Sequence, residues 1–168
     1  MIQIYFCEKS EREAAVRLAL KNYTGKECTL ARTKEGKPYA LGNPAYFSLS
    51  HSGGVCVIAV SDEPVGTDAE VPTGKIRPAV LRSFSDRERR EICSESDFLR
   101  HWTAREAYVK MLGARLWDML KHLEFYGGNL FAGGSPVPEK ITFFYERGAI
   151  IALCAKNTEF EIKGLLKV

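Results

Sequence analysis

Residues 46–71 read YFSLSHSGGVCVIAVSDEPVGTDAEV and contain three strand-like runs in close succession. The central run, Val55–Ser61, is almost wholly apolar, which is typical of a buried strand. The run 46–49 precedes it across a glycine turn, and the run 65–71 follows it across a turn at 62–64. Because these connections are short, the stretch predicts a small antiparallel sheet.

A strand and a helix are expected on the N-terminal side of this sheet. Apolar residues alternate over 2–6, which predicts a half-buried strand. Ser10 and Glu13 have the spacing of a capping box and predict the start of a helix that ends at Gly25. Short strand-like runs follow at 28–32 and Pro38–Leu41, with a turn over 34–37 between them.

The C-terminal part begins after a stretch rich in proline and glycine at 72–78. Ser85 and Glu88 form a second expected capping box, which opens a short charged helix. The longest helix is expected over 97–112 and is stopped by Gly113. Strand-like runs are then expected at 122–126, 141–146, Ala149–Ala155 and 160–168, with a flexible glycine-rich loop over 127–134.

The two parts of the chain share one plan, a helix followed by a small antiparallel sheet. This order predicts an α+β fold made of two similar half-domains, residues 1–72 and 73–168. Each half is too small to be stable alone, so the halves are expected to form one compact unit.

The composition is that of an ordinary globular protein. Of the 168 residues, 45% are hydrophobic and 27% are charged, which excludes a disordered chain. No apolar run is long enough to span a bilayer, and the opening MIQIYFCEKSERE lacks the features of a secretory signal. A cytoplasmic protein is therefore expected.

The net charge limits the kinds of partner that are expected, and the cysteine spacing indicates the state of the thiols. The net charge of +3 allows a phosphorylated ligand or an acidic partner but does not indicate duplex DNA. We therefore expect no nucleic-acid partner and no membrane partner. The five cysteines form no CxxC pair, and buried free thiols are expected.

Two carboxylates lie close together in the run 65–71. Asp68 and Glu70 are two residues apart on an expected strand, so their side chains project from the same face. Such carboxylates repel each other unless a cation lies between them, and hard oxygen ligands suit Mg²⁺. The alternative, a solvated strand face without a metal, stays open on this feature alone.

The longest expected helix carries a second polar pair. Glu106 and Lys110 are one turn apart and share a helix face, with Trp102 one turn earlier on the same stripe. Such a pair can serve chemistry in a cleft. Alternatively, it is an ordinary surface ion pair of a few tenths of a kcal/mol.

The segment 48–54, SLSHSGG, joins a strand to a glycine turn. Its hydroxyls, the imidazole of His51 and the free backbone N–H groups are donors that can hold a phosphate. It is neither a P-loop nor a dinucleotide-binding turn, and it lacks the G-x-S-x-G elbow of serine hydrolases. A polar turn with a solvated histidine is the alternative.

Five ordered blocks together resemble one family. The blocks are Gly36-Lys37-Pro38, Ser50-His51-Ser52, Val65-Gly66-Thr67-Asp68-Ala69-Glu70, Phe84-Ser85-Asp86-Arg87-Glu88 and Trp102-Thr103-Ala104-Arg105-Glu106-Ala107-Tyr108-Val109-Lys110-Met111-Leu112-Gly113. They resemble the motifs G-K-P, S-H-S, V-G-x-D-x-E, F-[S/A]-x-x-E and W-[T/C]-x-K-E-A-x-x-K-x-x-G of the Sfp-type 4′-phosphopantetheinyl transferases. Arg105 stands where the family has lysine, and the N-terminus is short, which leaves little room for the basic segment that helps longer members hold the nucleotide.

The resemblance implies a pseudo-twofold 4′-phosphopantetheinyl transferase fold with the active site in the cleft between the half-domains. It implies an enzyme that transfers 4′-phosphopantetheine from coenzyme A to a serine of an apo acyl or peptidyl carrier protein and releases adenosine 3′,5′-bisphosphate. One chain would then hold a complete site, so a monomer is expected. The alternative is a module that binds coenzyme A or a nucleotide without transferring anything.

The resemblance also assigns roles to individual residues. Asp68, Glu70 and Glu106 would hold Mg²⁺, and Glu106 would also be the general base that accepts the proton of the carrier serine. Lys110 would stabilise the pyrophosphate and the leaving group. On the nucleotide side, the implied contacts are Ser50 and His51 with the 3′-phosphate, and Lys37 and Pro38 with the adenine.

Overall fold

A computed structural model describes residues 1–34, 36–42 and 45–168, without the side chains of Leu116 and Trp117. The strands, numbered in chain order, are β1 Ile2–Cys7, β2 Thr29–Arg32, β3 Pro38–Leu41, β4 Tyr46–Ser52, β5 Val55–Ser61, β6 Gly66–Glu70, β7 Leu123–Tyr126, β8 Asn129–Ala132, β9 Ser135–Pro136, β10 Lys140–Glu146, β11 Ala149–Ala155 and β12 Phe160–Leu165. The helices are α1 Arg12–Thr24, α2 Pro78–Leu81, α3 Asp86–Glu91, α4 Glu95–Leu112 and α5 Leu116–Met119, with 3₁₀ turns at Lys9–Glu11 and Leu120–His122. Glu35, in the turn expected over 34–37, lies outside the described residues.

Two main sheets build the fold, which confirms the predicted α+β class. The first has the strand order β12-β1-β5-β4, in which β12 is parallel to β1 and the other neighbours are antiparallel. The second, β10-β11-β6, is antiparallel throughout. The central strands β5 and β11 are buried at every residue, which explains why both have continuous apolar sequences. The described residues also form two smaller sheets, β2-β3 and β7-β8-β9.

The two main sheets share one apolar core. Ile4 and Val57 of the first sheet belong to the same buried cluster as Ile151 and Leu153 of the second. The chain leaves the first sheet after β5, enters the second at β6 and returns to the first at β12. The prediction that the three runs of 46–71 form one sheet is therefore wrong for β6, which pairs with β11. Helix α1 packs on β5 of the first sheet, whereas helix α4 packs on β6 and β11 of the second. This arrangement brings β6 and α4, the two elements with the predicted polar pairs, into direct contact.

Gly66 explains how closely β6 and α4 can approach. A Cβ atom at this position would lie 1.9 Å from the carbonyl oxygen of Ala107 and 2.7 Å from the backbone nitrogen of Met111. Both neighbours are backbone atoms of α4, so no side chain can move aside to make room. The absence of a side chain at residue 66 is therefore what lets the strand lie directly on the helix.

The helix starts agree with the sequence in one case and not in the other. At the start of α3, Ser85 accepts a hydrogen bond from the backbone N–H of Glu88, and the Glu88 carboxylate accepts one from the N–H of Ser85, as predicted. The capping box expected at Ser10 is wrong. Lys9–Glu11 forms a 3₁₀ turn, and α1 begins only at Arg12, without a side-chain cap.

Three further expectations can be compared with the structure. The region 127–134, expected as a flexible loop, contains strand β8, which pairs with β7 and β9. Three cysteines are buried free thiols, as predicted, but Cys28 is only partly buried and Cys93 is exposed. Within the described residues, no helix is both long and apolar enough to cross a membrane.

Candidate active site

A cavity of about 690 Å³ lies between β4, β6 and the C-terminal half of α4. Its walls contain all eight residues that the sequence singled out for chemistry or binding. These residues are Lys37, Pro38, Ser50, His51, Asp68, Glu70, Glu106 and Lys110. The structure therefore brings together groups that are up to 73 residues apart in the chain, as in the contact between Lys37 and Lys110.

Asp68 is the most deeply buried carboxylate of the cavity, with 7% of its side chain exposed. Its Oδ1 atom accepts hydrogen bonds from Nζ of Lys110 at 2.6 Å and from Oγ of Ser50 at 2.7 Å. Burial raises the pKa of Asp68, while Lys110 and Ser50 act in the opposite direction. No hydrogen bond to Oδ2 is found among the described residues, so this oxygen is free to accept a ligand.

Glu70 is held differently, because both of its carboxylate oxygens have partners. Oε2 accepts a hydrogen bond from Oγ of Ser52 at 2.9 Å. Oε1 accepts one from the guanidinium of Arg77 at 3.0 Å, and these two residues form an ion pair. Neither Ser52 nor Arg77 was assigned a role from the sequence.

Three serines of β4 connect this strand to β6. They occupy every second position of β4, so their hydroxyls lie on one face of the strand. Each hydroxyl accepts a hydrogen bond from a backbone N–H group of the segment 67–71, again at every second residue. Ser48 accepts from Thr67 at 2.9 Å, Ser50 from Ala69 at 3.2 Å and Ser52 from Val71 at 3.1 Å. The hydroxyls thus replace the carbonyl partners that a paired strand would provide, and two of them also orient a carboxylate.

Glu106 projects from α4 toward the two β6 carboxylates. Burial, followed by the negative charges of Asp68 and Glu70, raises the pKa of Glu106 to about 7, although Lys110 and Arg77 oppose the shift. Its carboxylate has no hydrogen bond and no ion pair in the part of the chain that is described. A carboxyl group with this pKa can exchange protons near neutral pH.

The carboxylates fit a divalent cation by their chemistry. Asp68 is buried and Glu106 is partly buried. A positive charge relieves the repulsion between their carboxylates, and hard oxygen ligands are those that Mg²⁺ prefers. In the arrangement described for residues 1–34, 36–42 and 45–168, no group of three or more such side chains is already close enough to enclose a metal. A cation would therefore have to draw the carboxylates together.

Lys37 contacts the helix rather than an acidic side chain. Its Nζ donates to the carbonyl oxygens of Lys110 at 2.6 Å and of Met111 at 3.2 Å, at the C-terminal end of α4. A cation is favourable at this end of a helix. Burial lowers the pKa of Lys37. Lys37 therefore ties the start of β3 to the helix that carries Glu106, and Pro38 lines the cavity beside it.

One end of the cavity is cationic. His51 lies on β4, and partial desolvation of its imidazole, followed by the positive charges of Lys9, Arg12 and Lys110, lowers its pKa. Arg12 and Arg32 also line the cavity, although sequence reasoning did not select them. Arg12 lies in the first turn of α1 and Arg32 at the end of β2, and neither position belongs to a motif. This distribution of charge suits a ligand with an anionic group at the cationic end of the cavity and a bound cation at the acidic end.

The comparison with known proteins agrees with the motifs. Residues 64–144 match the family model of the 4′-phosphopantetheinyl transferase superfamily. The predicted resemblance to this superfamily is confirmed. The matched residues include the four charged residues of β6 and α4 that line the cavity, namely Asp68, Glu70, Glu106 and Lys110. The 4′-phosphopantetheinyl transferase match does not reach the segment that carries Lys37, Ser50 and His51.

Individual relatives carry the same name. The 4′-phosphopantetheinyl transferase AcpT of Salmonella typhi is 37% identical over 97 residues, which are 52% of this chain and 50% of that protein. The 4′-phosphopantetheinyl transferase psf-1 of Bacillus pumilus is 38% identical over 89 residues, which are 46% of this chain and 36% of that protein. The alignments thus span half or less of the length of these relatives.

Proposed function

We propose that this protein transfers the 4′-phosphopantetheine group from coenzyme A to a serine of an apo acyl or peptidyl carrier protein and releases adenosine 3′,5′-bisphosphate. The observation that carries the proposal is the cavity in which Asp68, Glu70, Glu106 and Lys110 meet. These four residues all lie in the segment that matches the superfamily. Transfer of a phosphoryl-type group depends mainly on positioning and charge stabilisation, which such a cavity supplies.

The acidic end would hold the metal and the reacting groups. Asp68, Glu70 and Glu106 would bind Mg²⁺, which would supply positive charge to the pyrophosphate of coenzyme A. Glu106 would accept the proton of the carrier serine, and its pKa of about 7 supports this role. Lys110 would stabilise the phosphate oxygens and the leaving group while keeping its contact with Asp68.

The cationic end would hold the nucleotide. His51 would meet the 3′-phosphate together with Arg12 and Arg32, which line the same cavity. The Ser50 hydroxyl already donates to Asp68 and accepts from Lys110 and Ala69, so it would reach the 3′-phosphate only by exchanging one of these partners. Lys37 and Pro38 would face the adenine.

We further propose a pseudo-twofold relation between half-domains 1–72 and 73–168. The antiparallel orders β1-β5-β4 and β6-β11-β10 support this relation, because in each the strand that comes first in the chain lies beside the strand that comes last. The sheets exchange strands across the proposed boundary, since β6 precedes residue 72 but pairs in the second sheet, and β12 follows it but pairs with β1 of the first. In each half, one helix packs on the sheet. A monomeric enzyme would follow, because one chain supplies every group of the proposed site. We propose that it acts in the cytoplasm, as the sequence predicts.

Mass spectrometry of candidate carriers tests the proposal. Apo carriers of fatty acid, polyketide and peptide synthesis would be incubated with the protein, Mg²⁺ and coenzyme A. The expected result is a carrier heavier by one phosphopantetheine group, with one adenosine 3′,5′-bisphosphate formed per carrier modified. Binding of coenzyme A without its consumption, for every carrier tested, would instead identify a binding module.

A further inference from the structure

The two carboxylates of β6 differ in how their hydrogen-bond partners are divided between the two oxygens. Asp68 receives both of its partners on Oδ1. Glu70 has one partner on each oxygen, Ser52 on Oε2 and Arg77 on Oε1. A cation approaching the cavity therefore meets an oxygen without a partner on Asp68, whereas each oxygen of Glu70 already accepts one hydrogen bond.

Arg77 is held in place by the helix that carries Glu106. Its guanidinium lies over the ring of Trp102, 5.1 Å from the centroid, and 5.7 Å from that of Phe98. Trp102 is a buried residue one turn before Glu106, at 5% exposure. Two aromatic faces and one carboxylate therefore fix the position of Arg77, because cations are attracted to aromatic faces within about 6 Å. The Trp102 of the sequence motif thus contacts the counter-charge of Glu70 rather than the cavity.

We propose that Arg77 is a positioning residue that neutralises Glu70 and competes with a divalent cation for it. The inference rests on the proposed function, because it concerns the cation expected in that cavity. The guanidinium and a divalent cation cannot both be the main partner of Oε1. Glu70 therefore offers Oε1 to a cation only when Arg77 moves away, and the 46% exposure of the Arg77 side chain leaves room for this movement.

The consequence is a cavity that binds a free divalent cation weakly. Without nucleotide, the cation would be held by Asp68 and Glu106 against the positive charges of Lys110 and Arg77. The pyrophosphate of a nucleotide would add negative charge, to which Arg77 could turn. We therefore expect the removal of the Arg77 charge to strengthen cation binding, whereas a merely structural role would lead to weaker binding.

Mn²⁺ titration of the full chain tests this expectation, with free Mn²⁺ measured by electron paramagnetic resonance in the absence of nucleotide. Arg77→Gln should bind Mn²⁺ about twofold to fivefold more tightly than the natural protein, the range expected when a partly exposed opposing charge is removed. Arg82→Gln is the matched control, because Arg82 is an exposed arginine of the same segment whose side chain has no hydrogen bond, ion pair or ring contact among the described residues.

The same substitution made in the Glu70→Gln variant separates the effect of the Arg77–Glu70 contact from the effect of losing a positive charge near the cavity. In Glu70→Gln, the further change Arg77→Gln should strengthen Mn²⁺ binding less than it does in the natural protein, because only the loss of general charge remains. Unchanged or weaker Mn²⁺ binding by Arg77→Gln, or an equal gain in the Glu70→Gln background, would overturn the inference. Carrier modification by the same preparations is scored separately. If the natural protein modifies carriers but Arg77→Gln leaves Mn²⁺ affinity unchanged, only the role of Arg77 is refuted. If Arg77→Gln strengthens Mn²⁺ binding but the natural protein modifies no carrier, only the proposed function is refuted.

Discussion

Nζ of Lys110 lies 2.6 Å from Oδ1 of Asp68 and joins helix α4 to strand β6 inside the cavity. The carboxylate is nearly buried, whereas 31% of the lysine side chain is exposed. The contact therefore stabilises a charge that burial alone would make unfavourable. It also orients Asp68, because one oxygen takes the lysine and the other remains available.

Removal of the lysine should destabilise the protein. In Lys110→Met, Asp68 would remain buried without its cation, and we expect a loss of about 1–3 kcal/mol in the free energy of unfolding. The measurement is urea denaturation at neutral pH. The double variant Asp68→Asn/Lys110→Met should lose less than the sum of the two single changes, because the residues are in contact. Strict additivity would contradict the stabilising role of this pair.

Gly66 should not tolerate alanine. The new Cβ would meet the Ala107 carbonyl oxygen at 1.9 Å, so β6 and α4 would have to separate. We expect a loss of stability at or above the upper end of the roughly 1–3 kcal/mol seen for overpacked cores. Gly54→Ala is the control, since a Cβ there meets nothing within 4 Å. Equal unfolding free energies for the two variants would contradict the close packing.

The stability of the metal-free protein should depend on Glu106 between about pH 4.5 and 7. The pKa of Glu106 is about 7 in the folded protein against an ordinary value of 4.5. The folded state therefore binds the proton more tightly than the unfolded chain, and the free energy of unfolding falls as pH rises through this range. Denaturation with EDTA present should show a smaller fall in Glu106→Gln.

The control for this pH experiment is Glu63→Gln, which changes an exposed carboxylate in the turn between β5 and β6. Its pH dependence should follow that of the natural protein. If the curves of Glu106→Gln and the natural protein run parallel from pH 4.5 to 8, the raised pKa of Glu106 is refuted.

Arg105 should be a major determinant of stability. It is fully buried, lies 3.6 Å from the buried Glu88 carboxylate and donates to the carbonyl oxygens of Ser83 and Leu120. Arg105→Met would leave Glu88 and both carbonyls without this donor, at a cost of about 3–5 kcal/mol. Arg105→Lys keeps the charge and should lose less. The control is Arg90→Met, which changes an exposed arginine. If Arg105→Met loses no more stability than Arg90→Met, the stabilising role of Arg105 is refuted.

The sequence predicts the elements of this protein well where local and tertiary interactions agree. The capping box at Ser85 forms because Glu88, besides capping α3, also accepts from the N–H of Phe125 and faces Arg105. Ser10 has the same spacing to Glu13, but the chain makes a 3₁₀ turn there and starts the helix later. Spacing alone does not distinguish the two cases.

The candidate site was predictable to the extent that its residues lie in motifs. Asp68 and Glu70 share a strand face, and Glu106 and Lys110 share a helix face, so periodicity alone places each pair. Arg77 follows no such pattern. It reaches Glu70 only because the chain turns back after β6, and it meets Trp102 only because α4 packs beside that strand.

Carrier modification by the natural protein and by Glu106→Gln is the measurement that tests the account most directly. At saturating coenzyme A and Mg²⁺, the natural protein and Glu63→Gln should each add one phosphopantetheine group to an apo carrier, as followed by mass spectrometry. Glu106→Gln, with unchanged secondary structure, should be slower by roughly 10²–10⁴, the usual contribution of a general base. A near-natural rate in Glu106→Gln, or no mass increase with the natural protein on any carrier, would contradict the account.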